Sequence, residues 1–125
     1  MSHIFPEHDL DLSFLFEIAD GSDEFIVESI DMFLQQTPEL LQTITTAIDN
    51  KDWVLVASAA HKLKPNLGFF GMPISQATIQ EVEIMAKEGA SDEKLLVSKF
   101  NEVRGIIKPN LDRLVKIRAD RAAGL

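Results

Sequence analysis

Cysteine is absent from this 125-residue sequence, which excludes a disulfide framework, a thiolate metal site and a cysteine nucleophile. A chain without such staples relies on its core. At this length folding hides roughly two-thirds of the surface that the unfolded chain exposes, and one domain over residues 1–125 is expected. Long apolar runs are missing too. The longest, from Trp53 to Val56 and on through small residues to Ala60, falls far short of the roughly 20 residues needed to span a bilayer. The N-terminal stretch MSHIFPEHDLDL lacks a basic start followed by a long apolar run, so it does not read as a secretory signal. A cytoplasmic protein with no membrane partner is expected. Basic residues are also scarce, 12 Lys and Arg against 20 Asp and Glu, for a formal charge of -8. Such a charge repels a phosphate backbone instead of releasing its counterions, so nucleic acid is not an expected partner. An acidic surface by itself also serves solubility. Strand-like alternation, internal repeats, low-complexity segments, a glycine-rich phosphate loop and a His-x-x-x-His metal pair are all lacking.

What the sequence has in abundance is apolar residues three and four positions apart, the period of amphipathic helices. Phe14, Leu15 and Ile18 predict a short helix ending at Gly21. Ser22 is placed to cap a second helix bearing Phe25, Ile26, Ile30, Phe33 and Leu34, with Asp23 and Glu24 favourable in its first turn. Thr37-Pro38-Glu39 reads equally as a new cap with proline at the first helical position or as a kink in one long helix through Ile48. The polar break Asp49 to Asp52 precedes a helix opening at Trp53. Gly71-Met72-Pro73 ends it, and another runs from about Ile74 to Lys87. Ser91 is the expected cap of a last helix through Val115, with a kink at Pro109, and the tail from Arg118 is expected to fray. Short connections make sequential helices antiparallel neighbours. The expectation is therefore all-α: an antiparallel up-and-down four-helix bundle with a short additional N-terminal helix. Its core is placed at about residues 13–116, with a mobile arm and tail at the ends.

The segment ASAAHKLKPNLGFFG, residues 57–71, puts a histidine and a proline inside a helix. Val56, Ala57, Ala60, Leu63 and Leu67 form one stripe that faces the core. At about 100° per residue, His61 lies roughly 110° from the middle of that stripe and should reach solvent. Its neighbours at three, four and seven residues are Val54, Ala57, Ser58, Lys64, Pro65 and Gly68. All but Lys64 are compact, whereas an ordinary exposed helix face carries long polar side chains. The imidazole thus stands on a low, nearly flat surface suited to the approach of another folded protein. Lys64, at the edge of that face, is placed to hold the oxygens of a phosphoryl group, or else simply snorkels to water. Lys62 points about 100° away from His61 and reads as a solvated or partner-steering charge. The helix offers no carboxylate or second histidine three or four residues from His61, so acid-base hydrolysis is disfavoured. A neutral imidazole is nonetheless a competent nucleophile. An acceptor whose chemistry comes from a partner fits these residues.

Ala60-His61-Lys62-Leu63-Lys64-Pro65-Asn66-Leu67-Gly68 resembles the Ala-His-x-Leu-Lys-Gly signature of histidine-containing phosphotransfer (HPt) domains, with the further glycine near the end of the helix. The upstream FLQQTPELLQTITTAIDNKDW looks like that family's preceding helix and turn, and the similar pattern spans roughly residues 13–116. The resemblance implies a phosphorelay intermediate in which His61 accepts a phosphoryl group from a receiver-domain aspartate and passes it to another receiver. It implies that Lys64 positions the group and that Gly68 keeps the docking surface open, the surface that the spacing assigns to Val54, Ala57, Ser58, Pro65 and Gly68. Response-regulator receiver domains and a hybrid sensor histidine kinase are the implied partners. No metal site or cofactor of the chain's own is implied, Mg²⁺ belonging to the receiver, nor autonomous catalysis; a monomer is expected. The departure is Pro65 where glycine is usual. Proline keeps the face low but removes the amide that bonds the His61 carbonyl, which predicts a local bend. His3 and His8, in the N-terminal arm with no lysine beside them, are not expected to be the acceptor. Phe69, Phe70 and Met72 read as core at the bundle end. The competing function is a helical docking module that is never phosphorylated, and a hydrolase built on His61 is a third reading.

Overall fold

In the computed structural model, residues 4–125 are described; His3 lies outside them. Five α-helices carry the chain: α1 (Ser13–Ala19), α2 (Asp23–Asp49), α3 (Trp53–Phe69), α4 (Pro73–Lys87) and α5 (Glu93–Ala122). They are preceded by two-residue strands β1 (Ile4–Phe5) and β2 (Leu10–Asp11), paired antiparallel around a 3₁₀ turn at Pro6–His8. The protein is all-helical apart from that small ribbon. The long helices pack in a closed cycle, α2 against α3 and α5, and α4 against α3 and α5. No helix among the described residues is long and apolar enough to cross a membrane.

Local chemistry explains the boundaries. Ser22 Oγ accepts the Phe25 amide and Asp52 Oδ1 accepts the Leu55 amide, capping α2 and α3 as N-cap oxygens do. Asp92, not Ser91, caps α5: its Oδ1 accepts the Leu95 amide at 3.1 Å. Both residues suit a cap, and the serine stands one position too early to reach that amide. The choice at Thr37-Pro38 resolves into one continuous helix, with Pro38 inside α2. The ring of Pro38 is exposed. Pro65 and Pro109 are likewise inside unbroken α3 and α5.

The core runs the length of the bundle, with Ile30, Phe33, Ile44, Leu63, Leu67, Ile79, Val82, Phe100, Val103 and Ile107 all at most 2% exposed. Its closed end is aromatic: Phe33 and Phe70 have ring centroids 4.4 Å apart, and Phe14 meets Phe69 edge-on at 5.4 Å. Phe70 and Met72 are buried, as expected, while Phe69 is half-buried.

Contacts at both ends of the described chain add to this frame. Residues 4–12 dock against the bundle. Leu10 and Leu12 are 1% and 0% exposed, and the Asp11 amide donates to the Gly71 carbonyl at 2.8 Å. Gly71 has a φ of +64°, and a Cβ there would overlap the Asp11 carbonyl, so the contact depends on glycine. Buried Asp9 accepts the amides of Ile74 (2.9 Å) and Ser75 (2.8 Å). It therefore caps α4, whose own N-cap residue Met72 supplies no side-chain bond. Buried Asn110 of α5 donates to the His8 carbonyl at 2.7 Å. At the other end α5 remains helical to Ala122, and Arg121 bonds Asp23 at 3.3 Å while lying over the Phe16 ring. The only apolar residues of the tail are three alanines and the terminal leucine, a weak helix-packing signal; ion pairing and cation–π contact hold it.

Candidate functional site

The middle of α3 carries His61 because Val56, Ala59, Ala60, Leu63 and Leu67 bury the opposite side of the helix. The imidazole stands out from this anchored face, its side chain 67% exposed. Beneath it is a group that helix-wheel reasoning about α3 alone does not reach. Glu83 of α4, only 3% exposed, accepts from His61 Nδ1 at 2.9 Å through Oε2. Lys64 Nζ donates to its Oε1 at 3.1 Å, and Lys87 Nζ lies 3.0 Å from Oε2. A buried carboxylate thus gathers an imidazole and two ammonium groups.

Burial alone pushes the Glu83 carboxyl up, but the hydrogen bonds from Lys87, Lys64 and His61 outweigh it and hold the pKa at about 2. The group is therefore ionised at neutral pH and has no proton to donate. It follows that the proton of the Glu83–His61 bond belongs to the imidazole: a neutral His61 carries hydrogen on Nδ1 and its lone pair on Nε2. Among the described residues Nε2 has no hydrogen-bond partner, and the side chain is 67% exposed. The arrangement leaves an oriented, nucleophilic nitrogen facing solvent.

A groove of about 510 Å³ beside the ring is lined by Val54, Ala57, Ser58, His61 and Lys62 from α3 and by Glu83, Ala86 and Lys87 from α4. Of the five residues assigned to the docking surface, Val54 and Ser58 are exposed and Ala57 is a buried floor residue, 7% exposed. Pro65 is exposed one turn further on, outside the groove. Gly68 is half-buried against α4. A Cβ there would overlap the Gln76 side-chain amide, which reaches across to the Lys64 carbonyl at 3.3 Å. Gly68 thus serves the α3–α4 contact that steadies the backbone of Lys64, in addition to carrying no side chain on the surface.

Lys64 is 27% exposed and held at the edge of the ring by Glu83. His8 is remote from this site; it lies near Glu7, 3.6 Å away, and beside Pro109 and Arg113. Among the described residues no three His, Cys, Asp or Glu side chains are grouped to hold a metal ion.

The site residues that sequence reading missed are Glu83 and Lys87. A signal existed within α4: Glu83 stands four residues after Ile79 and three before Ala86, both buried, so it occupies a core-facing position. A carboxylate there requires partners. The spacing within α3 carries no information about a neighbour 22 residues away on α4.

Comparison with family models matches the Hpt domain over residues 28–114, from the second turn of α2 to Leu114 in the second half of α5. Searches of curated proteins and of solved structures gave no significant match. The matched segment takes in all of α3 and α4 and hence the whole imidazole–carboxylate–lysine cluster, and the chain belongs to the Hpt domain family, the histidine phosphotransfer modules of two-component signalling.

Proposed function

We propose that the protein is a phosphorelay intermediate in which His61 accepts a phosphoryl group from the aspartate of a receiver domain and returns it to the aspartate of another. The observation that carries this reading is the exposed imidazole with its Nδ1 engaged by buried Glu83 and its Nε2 open. In the forward step the Nε2 lone pair attacks phosphorus, an N–P bond forms, and the P–O bond to the aspartate breaks with its electron pair going to the carboxylate. Nδ1 keeps its proton. The ring thereby becomes cationic, and the Glu83 carboxylate lies where that charge develops. No base has to remove a proton, so the step reverses as readily when a second receiver presents its aspartate. Lys64 is the phosphoryl-positioning cation on this side, while Mg²⁺ and the remaining charge stabilisation belong to the receiver. The chain needs no cofactor and has no turnover of its own.

Val54, Ala57 and Ser58 form the docking groove, and Pro65 and Gly68 keep the next turn low. Response-regulator receivers and a hybrid sensor kinase are the partners that suit this surface, acting on a cytoplasmic monomer. The cyclic packing of α2 to α5 supports one up-and-down four-helix bundle as its frame.

The test is a two-stage transfer. Incubation with a phosphorylated receiver and Mg²⁺ should label the wild type with an acid-labile, base-stable phosphate, and a second receiver should then remove the label. His61→Gln should remain unlabelled. Label retained by that variant removes the assignment; receiver binding with no label on the wild type indicates a docking module instead.

A further inference from the structure

Glu83 holds more donors than it needs. Lys64 occupies Oε1, whereas Oε2 is shared by His61 Nδ1 and Lys87 Nζ. If Lys87 leaves, each carboxylate oxygen still keeps one donor, so no buried lone pair is stranded. Lys87 is also the more exposed cation, its side chain 62% exposed against 27% for Lys64. Its bond to buried Glu83 comes from an exposed ammonium one helical turn away, so solvent competes for that donor. It lines the same groove as the ring, and sharing one oxygen with Nδ1 makes it the imidazole's immediate neighbour. In a chain of net charge -8, this groove gathers cations.

We propose that Lys87 is a second phosphoryl-positioning residue, parked on Glu83 while His61 is free and drawn to the phosphoryl oxygens once His61 is modified. The proposal rests on the reading of His61 as the acceptor. A phosphoryl group on Nε2 brings about two negative charges to the groove, against one on Glu83, and it is open to solvent, so a flexible ammonium reaches it without strain. Glu83 then acts as a placeholder anion that keeps the lysine at the site between transfers.

The experiment uses phosphoramidate, a small donor that requires no receiver. Nε2 attacks its phosphorus, the P–N bond of the donor breaks, and ammonia leaves with the proton on nitrogen. After the donor is removed, the loss of phosphate from wild type, Lys87→Gln, Lys87→Arg and His61→Gln is followed by ³¹P NMR. Lys87→Gln should shorten the phosphohistidine lifetime about two- to fivefold, the worth of one exposed charged contact. Lys87→Arg should keep it near the wild-type value, and the Lys87→Gln difference should shrink in 1 M salt. A Lys87→Gln lifetime equal to that of the wild type overturns the role of Lys87 and leaves the acceptor assignment intact. Label on His61→Gln equal in amount and lifetime to that on the wild type overturns the acceptor assignment and this proposal with it.

Discussion

Replacing Glu83 by glutamine keeps the size of the side chain and an oxygen for His61 Nδ1, but removes the charge that holds two lysines. The depression of its pKa from an ordinary 4.5 to about 2 sets an upper limit of about 3 kcal/mol, at 1.36 kcal/mol per unit. Lys87 and His61 are mostly exposed, so solvent screening reduces the expected contribution to about 1–2 kcal/mol. The sign follows from linkage: a carboxylate whose folded pKa lies below its unfolded value stabilises the fold above the unfolded pKa. That stability drains away as pH falls from about 4.5 towards 2. Urea unfolding of wild type and Glu83→Gln, measured side by side, cancels the other acidic residues. The wild type should be the more stable by about 1–2 kcal/mol at pH 7, with most of the gap gone by pH 2.5. A gap that stays constant from pH 7 to pH 2.5, or that grows on acidification, refutes the view that an ionised Glu83 organises the site.

Asp9→Ala removes the side-chain cap that reaches α4 from outside the helix and should cost about 1–2 kcal/mol, read from the shift of the urea midpoint; an unchanged midpoint would show that the N-terminal segment does not brace α4. Gly71→Ala combines a positive φ with overlap on the Asp11 carbonyl and should destabilise by more than about 2 kcal/mol. Hydrogen exchange should show the Asp11 amide losing protection with it.

Much of this architecture is legible in the sequence where the governing interaction is local. The caps at Ser22, the break before Trp53 and the exposed placement of His61 all follow from residues within one or two turns, and the structure agrees with each. Asp92 displaced Ser91 as the cap of α5 because two adjacent oxygens compete for one amide, and geometry decides between them by a single residue. What the sequence could not show is the set of contacts made across the chain. Asp9 finds its amides 65 and 66 residues away, and Asn110 finds His8 across 102. Glu83 meets His61 from a separate helix, 22 residues along the chain. The face presented by one helix can be read from its own spacing, but the partner that orients its functional group comes from another helix.

The most direct measurement of the central claim is the site of the phosphoryl group itself. Protein labelled with ¹⁵N in its histidines, phosphorylated by a receiver and kept at neutral or alkaline pH, should show one phosphorus–nitrogen coupling, on Nε2 of His61, with Nδ1 still protonated against Glu83. A coupling on Nδ1 of His61, or on the ring of His8 or His3, would contradict the account.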